Sequence, residues 1–238
     1  MTTTLSAHVS MLFTEHPERG RPGAAADAGC THVESWWPPA PDIDAWVEAV
    51  DAAGVAVSCL NADGGDIARG ERGFCNLVER EDDALVAGRD ALALAARVGA
   101  DRINVLPGLR VDDRPLEAQL DQAARVYRRL GDLAAESGIT IVIEPITARA
   151  VPAYLTPPAD ATADLIDSVG HPNVRMLFDV YHCAMAGDDP IAAIRRHAAI
   201  IGHVQYADCP GRGAPGTGDV DFAAVLHALD EVGYDGAV

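Results

Sequence analysis

Short apolar runs separated by longer segments of helical period recur along the whole chain, and this alternation constrains the fold more than any other feature. The strand candidates are LSAHVSML from Leu5, THVESW from Thr31, VAVSCL from Val55, RINVLP from Arg102, ITIVIEP from Ile139, VRMLFDV from Val174, IIGHVQYA from Ile200, and a stub after Tyr234. Between them, apolar spacing predicts helices over 42–53, 79–98, 115–137, 159–169, 190–197 and 221–232. The first interval, 17–28, is the weakest helix because Pro22 interrupts it. Glycines in AAG, VGA and ESG fall where helices should end before strands, and Pro115 and Pro190 suit first helical turns. Eight such beats in 238 residues, with no linker or low-complexity stretch, predict one α/β domain over 1–238. The pattern favours a (β/α)8 TIM barrel over a doubly wound sheet. In this reading GYDGAV is a turn entering an eighth strand that is truncated in the given chain.

Charge narrows the partners. The chain has 36 acids against 18 basic residues, a formal charge of -18 that repels a phosphate backbone, so nucleic acid is not an expected partner. All 18 basic residues are arginine, which excludes Schiff-base chemistry, pyridoxal phosphate attachment and a P-loop lysine. The longest apolar stretches, such as GITIVIEPI, are far short of the roughly 20 residues of a membrane span. The start, MTTTLSAHVSM, lacks a basic region followed by an apolar one. Five cysteines, an odd number with no C-x-x-C pair, read as free thiols in a reducing compartment, and a cytoplasmic location is expected. A homo-oligomer is compatible with the sequence, which hardly addresses assembly.

In a barrel of this kind the active site lies at the C-terminal ends of the strands, so polar residues closing apolar runs are informative. Glu34 closes THVE, Asn61 follows VAVSCL, Glu144 closes ITIVIE, Asp179 closes RMLFD, and Gln205 lies late in IIGHVQ. Glu144, Asp179 and Gln205 come from successive strands, and their oxygens suit a hard divalent cation, Mg2+ or Mn2+. Taken singly, each carboxylate is equally a solvated loop residue or a helix N-cap. His182 follows Asp179 by three residues. His203 and Gln205 share a strand face, although for His203 alone a hydrogen-bonded core histidine is the better reading. His8, His16, His32, His171, His197 and His227 show no partner spacing. Arg69 and Arg72 are either anchors for an anionic substrate or surface ion-pairing groups. Trp36 and Trp37 are either an apolar wall of the mouth or ordinary packing. The Gly- and Pro-rich ADCPGRGAPGTGDVDF would shape a lip around a small substrate, but without lysine it is a poor phosphate loop.

Together VSMLFTE, GERG, IVIEPI, DVYH, IGHVQYAD and PGRGAPGTGDVDF resemble the hydroxypyruvate isomerase family, within the xylose isomerase-like TIM barrels. The resemblance spans nearly the whole chain. It implies a divalent metal held by a Glu, an Asp, a Gln and a second Glu, the first three mapping onto Glu144, Asp179 and Gln205. The fourth is expected in a GxEY-like segment of the eighth strand, a few residues beyond Val238. The implied reaction interconverts hydroxypyruvate and tartronate semialdehyde through an enediolate, with Glu144 as one half of a glutamate acid/base pair. His182 and Arg212 would bind oxygens of the small anionic substrate, the arginine suiting a carboxylate. Thr147, Gly211 and Ala214 depart from the family pattern, all around the substrate. Other substrates of the same chemistry, 2-oxo-tetronate or a ketose, are the alternative, as is a repurposed barrel if the second glutamate is absent. A DNA-repair endonuclease of the same fold group would need a basic face and a larger set of metal ligands.

Overall fold

The computed structural model describes residues 4–38 and 42–238. Seven strands form one sheet: β1 (Ser6–His8), β2 (His32–Ser35), β3 (Ala56–Asn61), β4 (Arg102–Asn104), β5 (Thr140–Ile143), β6 (Val174–Asp179) and β7 (Ile201–Gln205). All neighbours pair in parallel and in sequence order. The helices are α1 (Arg21–Asp27), α2 (Ile43–Ala53), α3 (Glu81–Val98), α4 (Leu116–Ala135), α5 (Ala159–Val169), α6 (Val180–Ala186), α7 (Pro190–His197) and α8 (Phe222–Glu231). No helix among the described residues is long and apolar enough to cross a membrane.

The sheet is strongly curled. Arg102 of β4 donates across it to the Gly202 carbonyl of β7 at 2.6 Å, and Gln205 of β7 donates to Glu34 of β2 at 2.8 Å. Strands so far apart in order can meet only if the sheet wraps on itself. The residues expected to begin an eighth strand are not a regular strand, but they lie against β1 as one would. Ser6 N–H donates to the Val238 carbonyl at 2.8 Å, and Val238 N–H to the Thr4 carbonyl at 2.9 Å.

The main apolar core lies between the outer face of the sheet and the helices, with Val33, Val57, Ile103, Ile141, Met176, Phe178 and Val204 facing Leu85, Tyr127, Leu130 and Ile194. Helix α3 approaches α4 closely through Gly88, where a Cβ would meet Leu130 Cδ2 at 2.4 Å. It ends at Gly99, whose φ of 71° suits glycine. The inner face is different: its apolar part is a small cluster of Cys59, Val142 and Leu177.

Two expectations change. Pro22 does not interrupt the first helix; it stands in the first turn of α1, where a missing N–H costs no helical hydrogen bond. Helix α6 lies where the apolar spacing predicts no helix, between the sixth strand and 190–197. It starts directly on the last residue of β6, so the two elements share one apolar run and no turn signal separates them.

Candidate active site

Strand register assembles the site. Asp179 and Gln205, the last residues of β6 and β7, are direct partners across the sheet. Asn104 ends β4 opposite Val142, and Glu144 lies two residues beyond Val142, so it shares that residue's inward face. Asn104 Nδ2 donates to Glu144 Oε2 at 2.8 Å, and the Tyr154 hydroxyl donates to the Glu144 carbonyl at 2.8 Å. The Glu144 side chain and its backbone are thus both fixed.

Asp179 caps α6, its Oδ1 accepting from His182 N–H at 2.9 Å. The cap turns the His182 ring back over the carboxylates, with Nε2 at 3.6 Å from Glu144 Oε1 and 3.9 Å from Asp179 Oδ2. Arg212 Nη2 also lies 3.9 Å from Asp179 Oδ2, while its guanidinium rests 4.9 Å from the Tyr181 ring centre. These separations are too long for hydrogen bonds, so Arg212 and Asp179 face each other as opposite charges across a gap, with the His182 ring beside them. One oxygen of each carboxylate and one His182 nitrogen lie within 4.8 Å of one another, all buried.

The electrostatics follow from burial. Desolvation and the neighbouring Asp179 charge push the Glu144 carboxyl up to about 7. Burial holds the His182 imidazole below its ordinary value, outweighing the attraction of Asp179, and Arg212 pushes the same way. Burial would raise Glu34 too, but the hydrogen bond and charge of His203, the charge of His8 and the Gln205 hydrogen bond leave it below the usual carboxylate range.

Gln205 turns its Nε2 to Glu34, which leaves the amide oxygen as an acceptor. Two carboxylates and an amide oxygen make a hard donor set that fits a divalent cation of the Mg2+ or Mn2+ kind. A cation would also offset the repulsion that raises Glu144. Beside these groups lies a cavity of about 490 Å3 lined by His8, Glu34, Asp179, Gln205, Tyr206 and Arg212 among others.

The lip is built around one carboxylate. Asp208 accepts from the backbone N–H groups of Cys209, Gly216, Gly218 and Val220 at 2.8–3.1 Å. This network shapes the loop that presents Arg212, itself at a φ of 53°.

The five expected residues meet unequally. Glu144, Asp179 and His182 form one buried group. Gln205 and Arg212 border the cavity, Gln205 tied to Glu34 and Arg212 on the exposed lip. His182, expected on a substrate oxygen, lies among the carboxylates and is not part of the cavity lining. Arg72 donates to the carbonyls of Ile67 and Glu71, and Arg69 pairs with Asp66, so both arginines are engaged within their own loop. His203 is a buried partner of Glu34 at 3.0 Å. Asn104 and Tyr154 carry no strand-end mark in the sequence: Asn104 stands between Ile103 and Val105 inside an apolar run, not at its end, and Tyr154 lies outside the strands.

The xylose isomerase-like TIM barrel family matches residues 22–238. A protein named putative hydroxypyruvate isomerase from Streptomyces coelicolor is 37% identical, covering 98% of this chain and 88% of its own length. A 2-oxo-tetronate isomerase from Cupriavidus necator is 34% identical over 97% of this chain and 89% of its own. The crystal structure titled AP endonuclease, family 2 from Brucella melitensis has a TM-score of 0.95 at 27% identity, covering 100% of this chain and 92% of that one. Parallel strands in sequence order, polar groups gathered where they end, and these matches lead to one conclusion: the chain belongs to the xylose isomerase-like TIM barrel family.

Proposed function

We propose that the chain is a metal-dependent isomerase of small sugar acids, interconverting hydroxypyruvate and tartronate semialdehyde. The observation that carries this reading is the buried group of Glu144, Asp179 and His182 within 4.8 Å, with Arg212 beside it. The two isomerases named above support the class, and the second makes 2-oxo-tetronate the alternative substrate.

Glu144, Asp179 and Gln205 would hold the cation. When bound it supplies Lewis-acid stabilisation of negative charge on the substrate oxygens. Glu144 is the acid/base group, its carboxylate buried beside Asp179 and His182 where it can take a proton from a substrate carbon. It removes the proton from the carbon beside the carbonyl, leaving an enediolate. A second acid group would return a proton to the neighbouring carbon and complete the isomerisation. Asn104 keeps one Glu144 oxygen oriented, so the other is the one that works. Arg212 binds the substrate carboxylate from the lip, and neutral His182 packs against the two carboxylates.

A charge of -18 argues against a nucleic-acid substrate. The five free cysteines fit a reducing, cytoplasmic setting. The test is turnover by the purified full-length protein, with Mg2+ or Mn2+, of hydroxypyruvate and 2-oxo-tetronate. Formation of tartronate semialdehyde is expected, and it should stop on chelation. No turnover of any three- or four-carbon acid would sink the reading.

A further inference from the structure

A second group of ligating side chains lies on the inner face of the sheet and shares only β7 with the first. Glu34, Cys59 and His203 are all buried, and one ligand atom of each lies within 4.8 Å of the others. They come from β2, β3 and β7, so the curl of the sheet is what joins them.

Two irregularities aim them. Val33 pairs with Val57, but the next residue, Glu34, pairs with Cys59, so Ser58 is an extra residue in β3. Met176 pairs with Ile201, but Leu177 pairs with His203, so Gly202 is an extra residue in β7. Without these bulges strand alternation would point Cys59 and His203 away from Glu34 and the inward-facing Leu177. With them, Cys59 is the direct neighbour of Glu34 on one side of the sheet. His203 reaches the same carboxylate from across the sheet at 3.0 Å. With Nε2–H donating to Glu34, the ring's other nitrogen, Nδ1, is buried with no hydrogen-bond partner.

We propose that Glu34, Cys59 and His203 form an inner site for a thiophilic divalent cation of the Zn2+ type, distinct from the oxygen-donor site of Glu144, Asp179 and Gln205. A thiolate, a carboxylate and a neutral imidazole balance two positive charges in a buried place, and sulfur and nitrogen donors select such an ion over Mg2+. On binding, the Cys59 S–H bond breaks, sulfur gives its electron pair to the ion, and one proton leaves to solvent. Tetrahedral coordination puts ligand atoms about 3.3–3.8 Å apart, so atoms already within 4.8 Å of one another have at most about 1.5 Å to close. Glu34 borders the main cavity, which gives the ion a way in. Glu34 also holds Gln205, so occupancy draws on the carboxylate that orients a ligand of the outer site. Soft ions therefore inhibit in a manner that excess Mg2+ does not reverse.

The probe is Co2+ added to the purified full-length protein, read by thiolate-to-cobalt charge-transfer absorption, with Cd2+ as a second thiophilic ion. The band should appear in the wild type, vanish in Cys59→Ser and in Cys59→Ala, and persist in Cys30→Ser and Cys209→Ser. Circular dichroism reports the fold of each variant. Mn2+ binding, followed by loss of the free-ion resonance, should change less than twofold in Cys59→Ala. Basal activity of Cys59→Ala should be unchanged while its inhibition by Cd2+ weakens at least tenfold. A band that survives in both folded Cys59 variants, or no band in the wild type, overturns the inner site. Failure of the isomerase assay alone does not, because the absorption requires no substrate.

Discussion

Phe178 and Asp179 are neighbours in the chain and belong to two different environments. Phe178 faces outward from β6 into the large apolar core against the helices, and Asp179 faces inward at the cavity. The same contrast runs along the sheet: Val33 against Glu34, Ile143 against Glu144, Val204 against Gln205. The outer face holds the fold through apolar area removed from water. The inner face carries buried carboxylates, which desolvation makes costly. Changes on the outer face should therefore cost stability, and changes at the inner strand ends should cost activity with little loss of stability.

The strongest attempt to break this contrast is Glu144→Gln. Loss of the acid/base carboxyl should lower kcat by about 10^2–10^4, while Tm stays level or rises because repulsion with Asp179 is gone. A large fall in Tm with activity intact would reverse the assignment. On the other face, Phe178→Ala should destabilise the protein by about 3–5 kcal/mol, measured by denaturant unfolding, with KM of the folded fraction nearly unchanged. Next in size is Arg212→Ala, for which KM for the acid substrate should rise about 10–100-fold, the worth of a charge-assisted contact. A neutral substrate analogue should not feel that change.

The smallest effect concerns the helix surface, remote from both faces. The Gln122 hydrogen bond and the Arg129 ion pair hold Glu81 below the ordinary carboxylate range, against a partial burial penalty. A depressed value stabilises the fold above the unfolded pKa, near 4.3, and that contribution is lost as pH falls through the folded value. Glu81→Gln should thus cost under about 1 kcal/mol at neutral pH, and the difference from wild type should shrink in acid. Unfolding curves at both pH values check it.

Much of the site was visible in the chain because strand ends leave local marks. Glu144 and Asp179 each close an apolar run, and the position at which a polar residue ends such a run survives errors in element boundaries. The Asp179–His182 pair is local as well, a helix cap three residues long. The partners of these groups were harder to see. Asn104 reaches Glu144 from 40 residues away, and Gln205 reaches Glu34 from 171. His197 showed no partner spacing, yet its ring bonds Asp160 on another helix at 2.8 Å. Helix α6 was missed because it begins without a turn.

By itself the sequence determined the alternation of strands and helices, the acidity that repels nucleic acid, and the carboxylates closing the fifth and sixth strands, since each depends on local order or composition. Only the tertiary structure decided which inward groups meet. The curl of the sheet and the two bulges turn Cys59 and His203 toward Glu34, and a one-residue shift in register, invisible in a period-two pattern, changes the face on which a side chain stands.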